Sequence, residues 1–423
     1  MNKDINSVLL AYSGGLDTSV SIKWLQEKYQ AEIITFTADL GQKDFDAKYI
    51  QQKAYNTGAS EVIIVDLKEK FIEKQVFAAL QIQACYENKY PLATALARPL
   101  IAEEMVKVAK KHNIDAVAHG CTGKGNDQVR FETAFSALAP ELEIIAPLRD
   151  WGFTTREEEL NYAEKHNIPV KATKESPYSI DENLWGISVE CGPLEDPWQQ
   201  PPEDAYQWTA SPEKAPAEAQ EIELKFAEGE PTAIDGKEYS SVEVVEKLNE
   251  IGAEHGIGRV DMVENRLVGI KSREIYEAPA AKILLKAHKE LAELVLDRES
   301  LHFMDRIRPK YSDLIYNGLW HSPLRQALQN FLASFKAKIA GVVKIKLHKG
   351  NIQVTGRKSS NSLYDIGLAS YDHKDSFDHD AAAGFIKLWS LPLQVVKQNE
   401  ESSQNKEDME TKIANSSTAL PTK

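Results

Sequence analysis

Between residues 7 and 146 the chain alternates short apolar runs with amphipathic stretches, and few architectures accept that pattern. The runs at 7–12, 32–37, 61–66, 115–120 and 143–146 have the length of strands, and little polar alternation, as expected of strands covered on both faces. Helical spacing fills the stretches 19–28, 45–57, 68–86, 98–111 and 155–166; Val20 and Trp24, four apart, share a face while Lys23, Gln26 and Glu27 turn away. The alternation predicts an α/β domain on a parallel sheet with helices on both sides. Such sheets bind ligands beyond the carboxyl ends of their strands, so function is to be sought after the first, second and fourth strands.

The first strand runs straight into Ser13-Gly14-Gly15-Leu16-Asp17-Thr18-Ser19, where a helix begins. Adjacent glycines let the backbone turn tightly, and a helix N-terminus offers unpaired N–H groups and a favourable dipole to an anion. Ser13, Thr18 and Ser19 add hydroxyls. The P-loop pattern of GTPases and kinases is absent, and no lysine lies in the loop. The order of residues after a buried parallel strand is similar to the PP-loop of the N-type ATP pyrophosphatases, which split ATP between its α- and β-phosphates.

Composition narrows the partners. Apolar residues at 42% and charged residues at 27% describe a globular chain, and 423 residues suggest more than one domain. A formal charge of −14, from 50 basic and 64 acidic residues, argues against a large nucleic-acid surface. No run approaches a membrane span, the start of the chain lacks a secretory apolar stretch, and Cys85, Cys121 and Cys191 show no metal-ligand spacing. A reducing, cytoplasmic setting is expected, with no nucleic-acid or membrane partner.

After the fourth strand comes His119-Gly120-Cys121-Thr122-Gly123-Lys124-Gly125-Asn126-Asp127-Gln128-Val129-Arg130. Lys124 and Arg130 can take a carboxylate or phosphate, and Asp127 can take an ammonium or order the loop; that mixture suits a zwitterionic amino acid. Further stretches follow at 90–99, at 179–188 (beginning Ser179-Ile180-Asp181-Glu182) and at 263–277 (containing Val263-Glu264-Asn265-Arg266 and Arg273-Glu274-Ile275-Tyr276). Together with Thr37-Ala38-Asp39-Leu40-Gly41-Gln42 they resemble argininosuccinate synthetase, in the family's order, over residues 8–386.

That resemblance implies a PP-loop domain of the adenine nucleotide alpha hydrolase kind, an α+β synthetase and multimerisation domain, and a C-terminal arm joining a homotetramer. Ala11, Tyr12, Ser13, Gly14, Gly15, Leu16, Asp17, Thr18 and Ser19 would hold ATP, with Ala38 and Gly120 at the nucleoside. Tyr90, Thr94, Asn126, Arg130, Ser179, Ser188, Glu264 and Tyr276 would bind citrulline; Thr122, Asn126 and Asp127 would bind aspartate. The reaction implied is ATP-dependent joining of the two amino acids through a citrullyl-adenylate, with Mg²⁺ arriving on the phosphates and no prosthetic group. No general base stands out: His119 is a candidate, and equally a structural residue closing its strand. Asp17 could steady the loop or reach the metal's hydration shell.

Two other readings compete. A tRNA-modifying PP-loop enzyme conflicts with the acidic balance and the unpaired cysteines. A nucleotide-sensing module leaves the charged Gly123 loop without a purpose. Along the rest of the chain, runs at 221–226, 260–270 and 342–347 read as β, 278–303 and 323–337 as long helices, and 193–216 as a loop. The expected division is 1–170, 171–362, an irregular oligomerisation arm at 363–397 and a disordered tail at 398–423.

Overall fold

Alternate side chains of a strand point to opposite faces, and here both faces are apolar. In β1 (Ser7–Ala11) Val8 and Leu10 enter one core and Leu9 another, all three fully buried. β1 pairs in parallel with β2 (Glu32–Asp39) and β4 (Ala116–His119); β3 (Glu61–Asp66) and β5 (Glu143–Ile145) complete the order β3-β2-β1-β4-β5. The chain turns opposite ways on either side of β1, so the loops after β1 and β4 part and leave a crevice. The expected parallel α/β domain is therefore present, with strand ends within two residues of those read from the sequence.

These relations belong to a computed structural model that describes residues 5–153, 155–169, 177–371 and 376–417. It divides into two units, Met1–Leu363 and Tyr364–Lys423. The first unit also holds two antiparallel sheets, ordered β11-β12-β7-β6 and β10-β9-β8-β13-β14. The former comprises β6 (Ser179–Asn183), β7 (Gly186–Glu190), β11 (Arg259–Asn265) and β12 (Lys271–Glu277). The latter comprises β8 (Gln220–Ala227), β9 (Glu230–Ile234), β10 (Lys237–Glu238), β13 (Gly341–His348) and β14 (Asn351–Lys358). This is the α+β arrangement expected of the second half.

Several expectations need correction. The long helix expected over 278–303 is two, Pro279–Val295 and Arg298–Tyr316, because Asp297 breaks the run and caps the second by accepting from the Ser300 amide at 3.0 Å. The run 260–270 is a strand that ends at Asn265 and turns back into β12. Helix Asn126–Leu138, helix Ser241–Glu254 and the β6–β7 hairpin were not foreseen.

The second unit is helical at Ile366–Ala369, His379–Trp389 and Leu391–Ser417, not an irregular arm followed by a disordered tail. No Pro or Gly interrupts residues 393–417, so polarity there does not oppose a helix. Residues 418–423 of the expected tail lie outside the described residues. Among the described residues no helix is long and apolar enough to cross a membrane.

Candidate active site

The exit from β1 is pinned before it turns. The Tyr12 amide donates to Phe36 O and the Thr37 hydroxyl donates to Tyr12 O, both at 2.8 Å. Gly14 then takes a φ of +78°, a region other L-residues enter only with strain, and Gly15 caps helix Leu16–Tyr29 with no side-chain acceptor. The first-turn amides are left without intrahelical acceptors, which is the anion-binding property expected of the loop. Ser19 instead turns inward, donating to Gly15 O at 2.6 Å and meeting the Tyr12 hydroxyl at 3.2 Å.

The cation missing from the loop arrives from helix Ala47–Thr57, where Lys53 Nζ donates to Gly14 O at 2.7 Å. At the base of the crevice, a Cβ on Gly120 would lie 2.7 Å from Thr18 Cγ2, so the exit of β4 packs against the first turn of helix Leu16–Tyr29 as closely as glycine allows. Beside Asp17 stands Glu159 of helix Arg156–Lys165; partial burial and the Asp17 carboxylate push its carboxyl up to about 7.

Because helix Asn126–Leu138 starts at the end of the glycine-rich stretch, Asp127 and Arg130 share a face. Arg130 Nη1 and Arg98 Nε donate to the two oxygens of Asp127, each at 2.7 Å, and Arg98 Nη2 reaches Asp181 at 2.8 Å. Burial opposes ionisation of Asp127, but the two guanidinium groups outweigh it and hold the carboxyl below its usual range. Both oxygens are thus engaged by guanidinium groups, which order the start of the helix. His119, fully buried, accepts the Cys121 amide at Nδ1 (3.3 Å) and faces Glu132 from Nε2 at 3.1 Å. With both nitrogens used, it closes β4 and is not placed as a base. Burial and Asp127 push the Cys121 thiol up, away from a reactive thiolate.

The far wall comes from the antiparallel sheet. Glu264 on β11, 1% exposed, accepts from Tyr276 at 2.6 Å and from Tyr316 at 2.5 Å. Burial and the nearby carboxylates raise both phenols, so they remain donors. Tyr276 stacks on Tyr90 with centroids 4.0 Å apart, and the Tyr90 and Thr94 hydroxyls are 2.6 Å apart. Tyr316 also accepts from Asn126 Nδ2 at 2.8 Å, and its carbonyl accepts from Arg130 Nε at 3.0 Å. A carboxylate and a guanidinium are thereby held by one residue.

Arg98, Asp127, Arg130, Glu264, Tyr276 and Tyr90 line a cleft of about 640 Å³ running from the first β–α turn to β7, β11 and β12, with Tyr316 behind its wall. Of the residues assigned to a substrate from the sequence, all line it except Gly14, Gly15, Leu16 and Ser19, which form the backbone and inner side of the loop; Lys124, read as a possible carboxylate or phosphate ligand, does not line it. Lys53, Arg98, Glu190, Arg266, Glu274 and Tyr316 were not assigned. Arg266 and Glu274 stood inside the quoted motifs, whereas Tyr316 carried no signal: it lies 186 positions from Arg130.

Fold and cleft place the chain in the class of parallel α/β enzymes built around a glycine turn after the first strand, with antiparallel strands walling the far side of the cleft. Two family models match, the arginosuccinate synthase N-terminal HUP domain over residues 7–169 and the arginosuccinate synthase C-terminal domain over residues 178–396. The chain is 55% identical to argininosuccinate synthase of Chlorobium limicola over 92% of its own length and 98% of that protein. The corresponding enzyme of Bacillus pumilus is 55% identical (92% and 96% covered), and that of Aquifex aeolicus 54% (92% and 97%). The chain belongs to the argininosuccinate synthase family.

Proposed function

We propose that the chain joins L-citrulline to L-aspartate, consuming ATP and releasing argininosuccinate, AMP and diphosphate, in arginine biosynthesis. The observation that carries this reading is the placement of Arg130 and Glu264 on either side of Tyr316, in the cleft that begins at the phosphate loop. Opposite charges anchored to one residue suit the carboxylate and ammonium of an amino-acid headgroup.

A ureido carbonyl is a poor electrophile, because two nitrogens donate into it. Attack by its oxygen on the α-phosphate of ATP expels diphosphate and gives a citrullyl-adenylate. The neutral amine of aspartate then attacks the ureido carbon, loses a proton, and AMP departs with the former ureido oxygen. In this reading Ser13, Thr18 and the amides of the Gly14–Gly15 turn hold the departing diphosphate, where they stabilise charge that grows in the transition state. Ala11, Tyr12, Ala38 and Gly120 line the nucleoside side. Tyr90, Thr94, Asn126, Arg130, Ser179, Ser188, Glu264 and Tyr276 receive citrulline; Thr122, Asn126 and Asp127 receive aspartate, with Arg98 fixing Asp127. Holding the three substrates together makes the encounters effectively unimolecular.

Magnesium enters as part of the substrate MgATP. Among the described residues no group of three or more His, Cys, Asp or Glu side chains could hold a metal, and Mg²⁺ keeps most of its waters. Asp17, on the cleft wall, and Glu159 beside it suit that hydrated ion. The setting proposed is the cytoplasm. The assembly proposed is a homotetramer joined through the second unit, where Phe385, Ile386, Leu388 and Trp389 are 62–72% exposed. A chain cut before Tyr364 should then sediment as a smaller species, and unchanged sedimentation would remove the arm from the interface.

Incubation with ATP, citrulline and ¹⁵N-aspartate tests the reaction. Formation of AMP, diphosphate and a ¹⁵N-labelled adduct is expected; ADP and phosphate would refute it.

A further inference from the structure

One end of the cleft carries more negative charge than its own cations balance. Glu190 on β7, Glu264 on β11 and Glu274 on β12 all line it. The guanidinium they meet is Arg266, which pairs with Glu190 and, at 2.7 Å, with Glu274 Oε1. Glu264 receives only the phenols of Tyr276 and Tyr316, and among the described residues no lysine or arginine is paired with it. Arg130 lies at the other end of Tyr316, where it meets Asp127 and the Tyr316 carbonyl.

Tyr276 makes the imbalance acute. Its hydroxyl lies 2.6 Å from Glu264 Oε2 and 3.1 Å from Glu274 Oε2, yet it has one proton to give. If both carboxylates are ionised, one oxygen faces a phenol lone pair. Glu264 is 1% exposed and Glu274 8%, so a carboxylate oxygen left without a donor there is costly. The remaining neighbour, Ser272 Oγ, sits 3.4 Å from Glu274 Oε1, on the side already served by Arg266. A proton on Glu274 resolves the conflict, because Glu274 then donates towards Tyr276 and Tyr276 donates to Glu264.

We propose that Glu274 carries a proton while the cleft is empty and releases it when the α-ammonium of citrulline settles against Glu264, so that binding exchanges one positive charge for another. The inference rests on the citrulline reading above and adds to it a positioning residue and a proton count. Burial, with Glu264 and Glu190 next, pushes the Glu274 carboxyl up, to about 8 in the ligand-free chain, which places the exchange in the neutral range. The released proton goes to solvent, and the ammonium takes over the charge it leaves. A ligand with the same ureido chain and no α-amino group displaces no proton and binds less tightly.

Calorimetric titration of the full chain with citrulline at pH 7, with a non-cleavable α,β-methylene ATP analogue present and in buffers of differing ionisation enthalpy, counts the protons. Release of about one proton per citrulline is expected, none with 5-ureidopentanoate, and none from Glu274→Gln. Citrulline binding without release, or equal release from Glu274→Gln, overturns the proposal and leaves the functional reading standing; no citrulline binding at all defeats that reading instead. Should the variant not fold, the wild-type pH profile decides. The KM for citrulline should fall by up to about tenfold per pH unit between pH 6 and 8 while that for ATP does not, and parallel profiles would refute the exchange.

Discussion

The hydroxyl of Tyr316 donates to Glu264 at 2.5 Å, joining the end of helix Arg298–Tyr316 to the floor of the cleft on β11. Its ring stacks on Tyr86 at 3.5 Å, which fixes the direction of that hydroxyl. Tyr316→Phe keeps the stack but leaves a buried Glu264 oxygen and the Asn126 Nδ2 without their partner. A loss of about 1–3 kcal/mol is expected in citrulline binding, seen as a raised citrulline KM with the ATP KM nearly unchanged. Equal increases in both would mean a general loss of structure.

Arg130→Ala removes a guanidinium that holds both Asp127 and the Tyr316 carbonyl. Citrulline use should weaken by at least about 1.5–3 kcal/mol, the range for a charge-assisted pair, and Arg130→Lys should recover little because one ammonium cannot reproduce the fork. Steady-state kinetics with each substrate varied in turn checks this. A loss confined to ATP would assign Arg130 to the loop and not to citrulline.

At Gly120, alanine would place its Cβ 2.7 Å from Thr18 Cγ2 and press on the phosphate loop from the base of the crevice. Gly120→Ala should weaken ATP binding several-fold while melting within a few degrees of the parent, since the strain falls on a loop beyond the carboxyl ends of the strands. Nucleotide titration by fluorescence reads the first effect and calorimetry the second.

Asp127 is held below its usual carboxylate range despite burial, because Arg98 and Arg130 flank it. Its ionised form therefore adds stability that is fully present above the unfolded carboxylate value, about 3.9, and is lost as pH falls through the lower folded value. Asp127→Asn should be less stable than the parent at pH 7, with the gap narrowing towards pH 3. Melting temperatures across that range test it; a constant gap would mean that the ion pairs contribute little.

The strands and the glycine turn after the first of them were legible because each depends on neighbours in sequence. An apolar run with no alternation marks a strand covered on both faces, as Val8, Leu9 and Leu10 are, and Gly14-Gly15 at its end marks the turn. The break at Asp297 was legible in principle, since Asp followed three positions later by Ser300 carries the cap. What could not be read is long-range. Lys53 meets Gly14 O through packing of a separate helix, and Tyr316 meets Arg130 and Glu264 only once three elements have converged. His119 looked equally suited to two roles until Glu132 and the Cys121 amide were seen to occupy its nitrogens.

In the proposed reaction the ureido oxygen attacks the α-phosphate bound at the Ser13–Ser19 loop, and one isotope experiment addresses that bond. Citrulline carrying ¹⁸O in its ureido group, turned over with ATP and aspartate, should deliver the label to the phosphate of AMP, one atom per argininosuccinate formed. Unlabelled AMP, with ¹⁸O recovered in inorganic phosphate or water, would contradict the account.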